Sequence, residues 1–155
     1  MHIVLVEPEI PGNTGNIARL CAATGASLHL VRPLGFSVDD KYLKRAGLDY
    51  WHLVDIHYYD SVEEVLAAYP DSPRFLLTTH AHQFYTRVHY APDSLLIFGK
   101  ESAGLPKSFR EAHASECVRI PMVSEARSLN LANSVAVVLY EALRQNDFDL
   151  QEGTI

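Results

Sequence analysis

The stretch HIVLVEPEIPGNTGNIARLCAATGASLHLV, from His2 to Val31, decides how the fold begins. A short apolar run is followed by a turn rich in Gly and Asn, a helical pattern from about Asn13 to Thr24, and a second apolar run. This order predicts a strand, a helix and a parallel strand, which is the start of an α/β fold. The glycines in the turn have no side chain, so its backbone can approach a ligand or another part of the chain.

Three further apolar runs predict the other strands of the sheet. They are RFLLTT at 74–79, SLLIFG at 94–99 and CVRIPM at 117–122. Continuous apolar runs of this kind are typical of parallel strands that are covered on both faces. We therefore predict a single α/β domain over residues 1–155, with a mostly parallel sheet and flanking helices.

Helical patterns lie between and after these runs. The segments are 39–46, 60–69, where Asp60 or Ser61 supplies the N-cap, and a long final helix at 128–145. The tail from about residue 146 is polar, and we expect it to be frayed.

Length and composition fit one ordinary domain. The chain has 155 residues, of which 48% are hydrophobic, and this is enough for a full core. No apolar run approaches the roughly 18 residues that span a bilayer, and the first residues resemble no export signal. We therefore expect a cytoplasmic protein without membrane contact. Cys21 and Cys117 lack CxxC spacing, which predicts buried, reduced thiols rather than a disulfide or a zinc site.

The charge distribution allows a local site for nucleic acid. A net charge of -6 argues against a general nucleic-acid binder, because affinity for phosphates comes from Lys and Arg. The basic residues are nevertheless grouped in two stretches, which either contact phosphates or form solvated helix faces. These residues are Lys41, Lys44, Arg45, Lys100, Lys107 and Arg110.

The first turn matches neither common phosphate-binding motif. GNTGNIAR lacks the GK[ST] ending of a Walker loop. It also lacks GxGxxG, and Arg32 and Pro33 stand where a dinucleotide fold places an acidic residue. What remains is a helix N-terminus with Asn13, Asn16 and Arg19, which suits a phosphate or oxyanion presented by a partner.

Two more loops follow predicted strands and share this character. FGKESAGLP contains Gly99, which either forms a tight turn or lies close to a ligand. IPMVSEARSLNLANSV contains Ser128 and Asn130, which either cap the last helix or contact a ligand. Ligands of open α/β sheets bind at the carboxyl ends of strands, so we expect the three loops to converge there.

Together, PGNTGNIAR, FGKESAGLP and IPMVSEARSLNLANSV resemble the three motifs of the SPOUT superfamily of RNA methyltransferases. Within it, the chain from Met1 to about Asn146 is similar to the TrmL-type tRNA 2′-O-methyltransferases, with a further match at DDKYLKRAGLDY. These enzymes modify the wobble nucleotide, position 34, which is a cytidine or a uridine. The resemblance implies a trefoil knot near the C-terminal end and a homodimer.

The resemblance also implies a pocket for S-adenosylmethionine and no metal. Apolar walls with a few hydrogen bonds suit this cofactor, and a side chain at Gly99 would occupy its space. The cofactor residues it implies are Leu77, Gly99, Ile120, Met122, Ser128 and Leu129.

The implied reaction is attack of a ribose 2′-hydroxyl on the methyl group of the cofactor. A guanidinium group keeps its proton in proteins, so we interpret Arg19 as a phosphate clamp and stabiliser of negative charge rather than as the base. Ser128, Asn130 and Asn133 would position the ribose, and Glu101 would brace the loops. The residues expected to contact the anticodon loop of tRNA are Arg19, Lys41, Lys44, Arg45 and Lys107.

Two alternatives remain beside this interpretation. One is an RNA- or nucleotide-binding module without catalysis, and the other is a 2′-O-methyltransferase for another tRNA or rRNA position. A metal site at His80 and His82 is disfavoured because a third ligand is not evident. A serine hydrolase is disfavoured because GxSxG is absent.

Overall fold

The computed structural model of the protein describes residues 1–39 and 50–150. Nearly all of the helix predicted at 39–46 lies outside this part of the chain. The described strands are β1 His2–Val6, β2 Ser27–Val31, β3 Ile56–Tyr59, β4 Arg74–Leu77, β5 Leu95–Phe98 and β6 Cys117–Val118. The described α-helices are α1 Pro11–Thr24, α2 Val62–Ala68, α3 Lys107–Ala112 and α4 Leu131–Gln145.

The six strands form one parallel sheet in the order β3-β2-β1-β5-β4-β6. This confirms the predicted sheet with flanking helices. The central strand β1 pairs with β2 on one side and with β5 on the other, so Ile3 lies beside both Leu28 and Leu96. The strand order reverses between β1 and β5, and such a switch point is where open α/β sheets bind ligands.

Helices cover both faces of the sheet, as the continuous apolar runs predict. Ile3 and Leu5 point to the face that α1 and α4 cover, where residues such as Ile17 and Leu139 are fully buried. Val4 belongs to the core on the opposite face, which α2 and α3 cover. With both faces buried, each strand of the sheet centre contributes apolar side chains in both directions.

Local signals explain where the helices begin and end. Proline opens α1, where a missing N–H costs nothing, and Gly25 closes it in the left-handed conformation with φ 75°. At the start of α2, the side chain of Ser61 accepts a hydrogen bond from the backbone N–H of Glu64. Of the two N-caps considered for α2, the serine is the one used.

The structure differs from the prediction in several elements, and helix α3 at Lys107–Ala112 was not predicted. Strand β3 was not predicted, because its sequence IHYY has polar and aromatic side chains instead of an apolar run. Strand β6 ends at Val118 instead of Met122, since the chain then leaves the sheet to line a cleft. Helix α4 begins at Leu131 instead of Ser128, with Asn130 as its N-cap.

The two cysteines are free and buried, in agreement with the sequence. Burial raises the pKa of the Cys21 thiol to about 12, so this thiol stays protonated and unreactive. Among the described helices, none is both long enough and apolar enough to cross a membrane.

A row of histidines crosses three strands on the face that α2 covers. His29 is completely buried, its Nε2 lies 3.0 Å from His2 Nδ1, and its Nδ1 lies 3.2 Å from the hydroxyl of Tyr59. The ring of His57 stacks on it at 5.0 Å. Burial, and then the neighbouring imidazole of His2, lower the pKa of His29 from 6.5 to about 3.

This buried imidazole predicts a loss of stability in acid. The unfolded chain binds a proton at His29 below pH 6.5, while the folded chain resists it until about pH 3, so stability falls across that window. Between about pH 7 and pH 5, this effect lowers the free energy of unfolding by about 2 kcal/mol. We expect His29→Gln to remove this part of the pH dependence in urea unfolding.

The exposed His52 supplies the matched control. His52→Gln should leave the pH dependence of the wild type unchanged. Parallel stability curves for the wild type and His29→Gln would contradict the assignment to His29.

Candidate active site

A cleft of about 610 Å³ lies at the carboxyl ends of the strands. Its walls come from the segments that follow β4, β5 and β6, together with Ile10 and Asn13 at the start of α1. The three motif loops therefore converge, because parallel strands all point their carboxyl ends to the same edge of the sheet. The volume lies within the range of about 300–1,000 Å³ that is usual for small-molecule sites.

All six residues predicted to hold the cofactor line this cleft. They are Leu77, Gly99, Ile120, Met122, Ser128 and Leu129. Leu77 ends β4, while Ile120 and Met122 follow β6 directly, so the sheet holds the apolar wall in place. Ser128 and Leu129 lie on an exposed loop at the mouth, and the side chain of Leu129 is 42% exposed.

The reason for a glycine at position 99 is different from the predicted one. A Cβ atom on Gly99 would lie 2.1 Å from the carbonyl carbon of Gly104 and 2.2 Å from the nitrogen of Leu105. Position 99 therefore needs glycine because the loop folds back on its own backbone, which a hydrogen bond from Gly104 N to Lys100 O closes at 2.8 Å. The tight-turn alternative therefore explains the glycine. A Gly99→Val variant would disrupt the loop itself, so it could not test whether position 99 contacts a ligand.

Two glutamates bind the first and second motif loops to each other. The carboxylate of Glu101 accepts hydrogen bonds from the backbone N–H groups of Glu9 at 2.7 Å and Ile10 at 3.1 Å. In return, the carboxylate of Glu9 accepts from the backbone N–H and the hydroxyl of Ser102, at 3.1 and 2.7 Å. Charged acceptors make these bonds stronger than neutral ones, so the two loops form one unit.

Asn13 joins the third motif loop to this pair. Its side-chain Nδ2 lies 3.3 Å from Glu101, and its Oδ1 accepts from Nδ2 of Asn130 at 3.0 Å. Oδ1 of Asn130 accepts from the backbone N–H of Asn133, so Asn130 both caps α4 and contacts the first motif. Asn13 is only 8% exposed, and each of its side-chain polar atoms has a partner. One hydrogen-bonded network therefore links all three loops.

Several polar residues of the cleft were not among the predicted site residues. Thr78, Thr79 and His80 follow β4, Arg110 lies on α3, and Ser134 lies in the first turn of α4. The two threonines end the strand predicted at 74–79 and the histidine follows it directly, so their place at a strand end is a signal that sequence reasoning could have used. Arg110 was noted only as one of a group of basic residues, because the sequence did not show where α3 lies.

Arg19 does not line the cleft of its own chain. It lies six residues after Asn13 on α1, so its side chain points about 120° away from that of Asn13 and away from the buried side of the helix. The side chain is exposed, and its guanidinium carbon lies 4.9 Å from the ring centroid of Tyr50. The side chain of Asn133 is also exposed and outside the cleft lining. Arg19 can therefore act only on a substrate that covers this surface.

The predicted RNA-contacting residues are only partly placed. Lys107 is exposed on α3 and lies 3.7 Å from Glu111, so no strong bond holds it. Lys41, Lys44 and Arg45 lie outside the described residues.

The residues of the cleft fit S-adenosylmethionine and offer little to a metal. Leucine, isoleucine and phenylalanine side chains line the cleft together with hydroxyl and amide groups, and this mixture suits a ligand with an adenine ring and a polar end. In the part of the chain that the structure describes, no group of three or more His, Cys, Asp or Glu side chains could hold a metal ion. His80 and His82 are both exposed.

A parallel α/β sheet with three linked loops around a cleft at the switch point is the architecture expected for the RNA methyltransferases that the motifs resemble. The chain belongs to the SpoU rRNA Methylase family, whose model matches residues 1–140. This confirms the resemblance on which the sequence interpretation rests.

Individual relatives are similar over nearly the whole chain. The chain is 50% identical over 147 residues to a tRNA (cytidine(34)-2'-O)-methyltransferase of Methylovorus glucosotrophus, which covers 94% of this chain and 96% of that one. A solved structure concerned with 2-OH methylation of C/U34 on tRNA superposes with a TM-score of 0.85 and 44% identity, covering 94% and 95% of the two chains.

A more distant structure contains the cofactor. The SpoU methyltransferase AviRb of Streptomyces viridochromogenes, in complex with AdoMet, superposes with a TM-score of 0.79 and 28% identity. The match covers 95% of this chain and 58% of AviRb.

Proposed function

We propose that this protein is an S-adenosylmethionine-dependent tRNA methyltransferase that modifies the ribose 2′-hydroxyl of the wobble nucleotide, cytidine or uridine 34. The observation that carries the proposal is the cleft at the switch point, where the three motif loops meet and all six expected cofactor residues lie. Full-length relatives with this activity, at about half identity, support the same substrate. The site needs no metal, because the chemistry is a direct transfer.

The residues of the cleft would hold and orient the reactants. Leu77, Ile120 and Leu129 would supply apolar surfaces for the adenine ring, and Ser128 would supply a hydrogen-bonding group. When bound, the cofactor supplies an electrophilic methyl group on a sulfonium, which is a good leaving group. Asn130, which lines the cleft and is held by Asn13, would position the ribose hydroxyl together with Asn133, whose backbone N–H donates to Asn130.

We propose a homodimer in which Arg19 acts on the cleft of the partner. The exposed residues of α1 and α4 form two adjoining stripes, because these helices pack against each other. The stripes contain Gly12, Asn16, Arg19 and Ala23 on α1, and Asn133, Val137, Tyr140 and Arg144 on α4. Val137 and Tyr140 are 39% and 46% exposed, and a second copy would cover them. In that arrangement Arg19 faces a neighbouring active site instead of its own.

The substrate would reach this site as an anticodon loop. Single-stranded loops expose the bases and 2′-hydroxyls that a helix hides. Arg19 would bind a phosphate and stabilise the charge on the attacking oxygen, while Lys41, Lys44, Arg45 and Lys107 would contact the RNA backbone. We place this reaction in the cytoplasm, in a single knotted domain.

The test is methyl transfer to an anticodon stem-loop with and without the wobble 2′-hydroxyl. We expect label from S-adenosylmethionine to enter the normal RNA and to be absent from the RNA with deoxyribose at position 34. The deoxy RNA should bind nearly as well, since one hydroxyl adds little to contacts made with several phosphates.

A second RNA with deoxyribose at a neighbouring position is the control, and it should still be methylated. Transfer to the position-34 deoxy RNA, or a methyl group found on a base by mass spectrometry, would contradict the proposal. Binding of both RNAs without any transfer would favour a non-catalytic RNA-binding module.

A further inference from the structure

We propose that Arg110 binds the carboxylate at the methionine end of the cofactor, an inference that rests on the proposed function. Arg110 lies on α3, is half-buried, and lines the cleft. Its Nε donates a hydrogen bond to the carbonyl oxygen of Leu105 at 3.2 Å. This bond anchors the guanidinium group within the wall of the cleft.

The charges around the cleft leave Arg110 available for an anion. Glu101 is the acidic residue in the described lining, and its carboxylate is occupied by Glu9, Ile10 and Asn13. Lys100 is already paired with a carboxylate, at 3.4 Å from Glu7. Among the described residues, no acidic side chain pairs with Arg110. The lining of the cleft therefore has an anchored positive charge that no carboxylate of the described residues neutralises.

The cofactor offers a group that matches this charge. Its methionine end has a free carboxylate, and a guanidinium can donate two parallel hydrogen bonds to a carboxylate. Because the bond to Leu105 already restricts the side chain, less conformational entropy is lost when the anion binds. The other arginine of the lining, Arg127, lies on an exposed loop and has no such anchor. Arg127 therefore suits the RNA better than the cofactor.

The experiment compares two ligands that differ only in the carboxylate. Calorimetry should show that the wild type prefers S-adenosylmethionine over decarboxylated S-adenosylmethionine by about 10- to 100-fold, the usual effect of a charged hydrogen bond. Arg110→Met should abolish this preference by weakening S-adenosylmethionine alone. Unchanged binding of the decarboxylated ligand shows that the variant is folded. Arg110→Lys keeps the positive charge but loses the two parallel N–H donors of the guanidinium group, so we expect it to retain part of the preference.

Two variants serve as matched controls. Lys107→Met removes a cation from the same helix outside the cleft, and Arg127→Met removes the other arginine of the lining. Both should retain the wild-type preference. The inference is overturned if Arg110→Met weakens both ligands equally, if it weakens neither, or if Arg127→Met is the variant that loses the preference. A wild type that binds neither ligand would contradict the proposed function itself.

Discussion

Arg19→Ala is expected to lower the rate of methyl transfer by about 100- to 1,000-fold, the usual effect of removing one group that stabilises developing charge. The affinity for S-adenosylmethionine should stay at the wild-type value, because Arg19 is outside the cleft lining of its own chain and is proposed to contact the RNA rather than the cofactor. The measurement is single-turnover transfer to tRNA, together with calorimetry of the cofactor.

Arg32 is another exposed arginine with a ring contact, and it serves as the control. Its guanidinium lies 5.1 Å from the ring centroid of Tyr58, as that of Arg19 lies 4.9 Å from Tyr50, and it is outside the cleft. Arg32→Ala therefore loses a similar ring contact and should keep nearly full activity. An Arg19→Ala enzyme that transfers methyl groups normally, or that loses cofactor affinity in proportion to its rate, would refute the role assigned here.

A mixture of two inactive variants tests whether Arg19 acts across a dimer. Ala103 is exposed at the cleft, so Ala103→Trp should block the cofactor without disturbing the core. If Arg19 serves the partner, each mixed dimer of an Arg19→Ala chain and an Ala103→Trp chain has one intact site. Random pairing of equal amounts then makes about a quarter of all sites active. If Arg19 serves its own chain, the mixture remains inactive.

Glu101→Ala is expected to have the largest effect on the shape of the site. The change removes the acceptor for Glu9, Ile10 and Asn13, and each bond to a charged acceptor contributes about 1.5–3 kcal/mol. We expect a loss of about 3 kcal/mol in the free energy of unfolding, which is roughly 10 °C in melting temperature for a domain of this size. Cofactor affinity should fall as well, because only the bonds from Ser102 to Glu9 would still join the first and second motif loops.

Glu63 provides the comparison for that variant. It is an exposed glutamate in the first turn of α2, far from the cleft lining. Glu63→Ala should change the melting temperature by much less and leave cofactor binding intact. A Glu101→Ala protein with wild-type stability and affinity would mean that the network does not hold the loops.

The sequence predicts the sheet and the place of the site because both depend on local patterns. Continuous apolar runs in β1, β4 and β5 are typical of strands that are buried on both faces of a sheet. Three loops that follow such strands must meet at one edge, so the cleft follows from the strand prediction. The prediction of the cofactor residues and of the family rests on the three motifs, and composition alone would not have given either.

The remaining features depend on tertiary contacts that are not visible in a local pattern. Strand β3 is recognisable only once His57 stacks on His29 of the neighbouring strand. The reason for Gly99 depends on the approach of Gly104 and Leu105, five and six residues further along the chain. The position of Arg19 on the outer side of α1 became clear only when the buried side of that helix was known. The trefoil knot stays a prediction.

The pairing of β1 with β5 has a consequence for synthesis on the ribosome. The first strand emerges early, but the partner for one of its edges begins only at Leu95. At about 5–20 residues per second, about 90 residues of translation take roughly 5 to 20 seconds. During that time the nascent chain has an apolar strand edge with no partner, which is a template for aggregation. The N-terminal half therefore cannot finish folding as it is made, and the sheet closes around β1 only when the second half arrives.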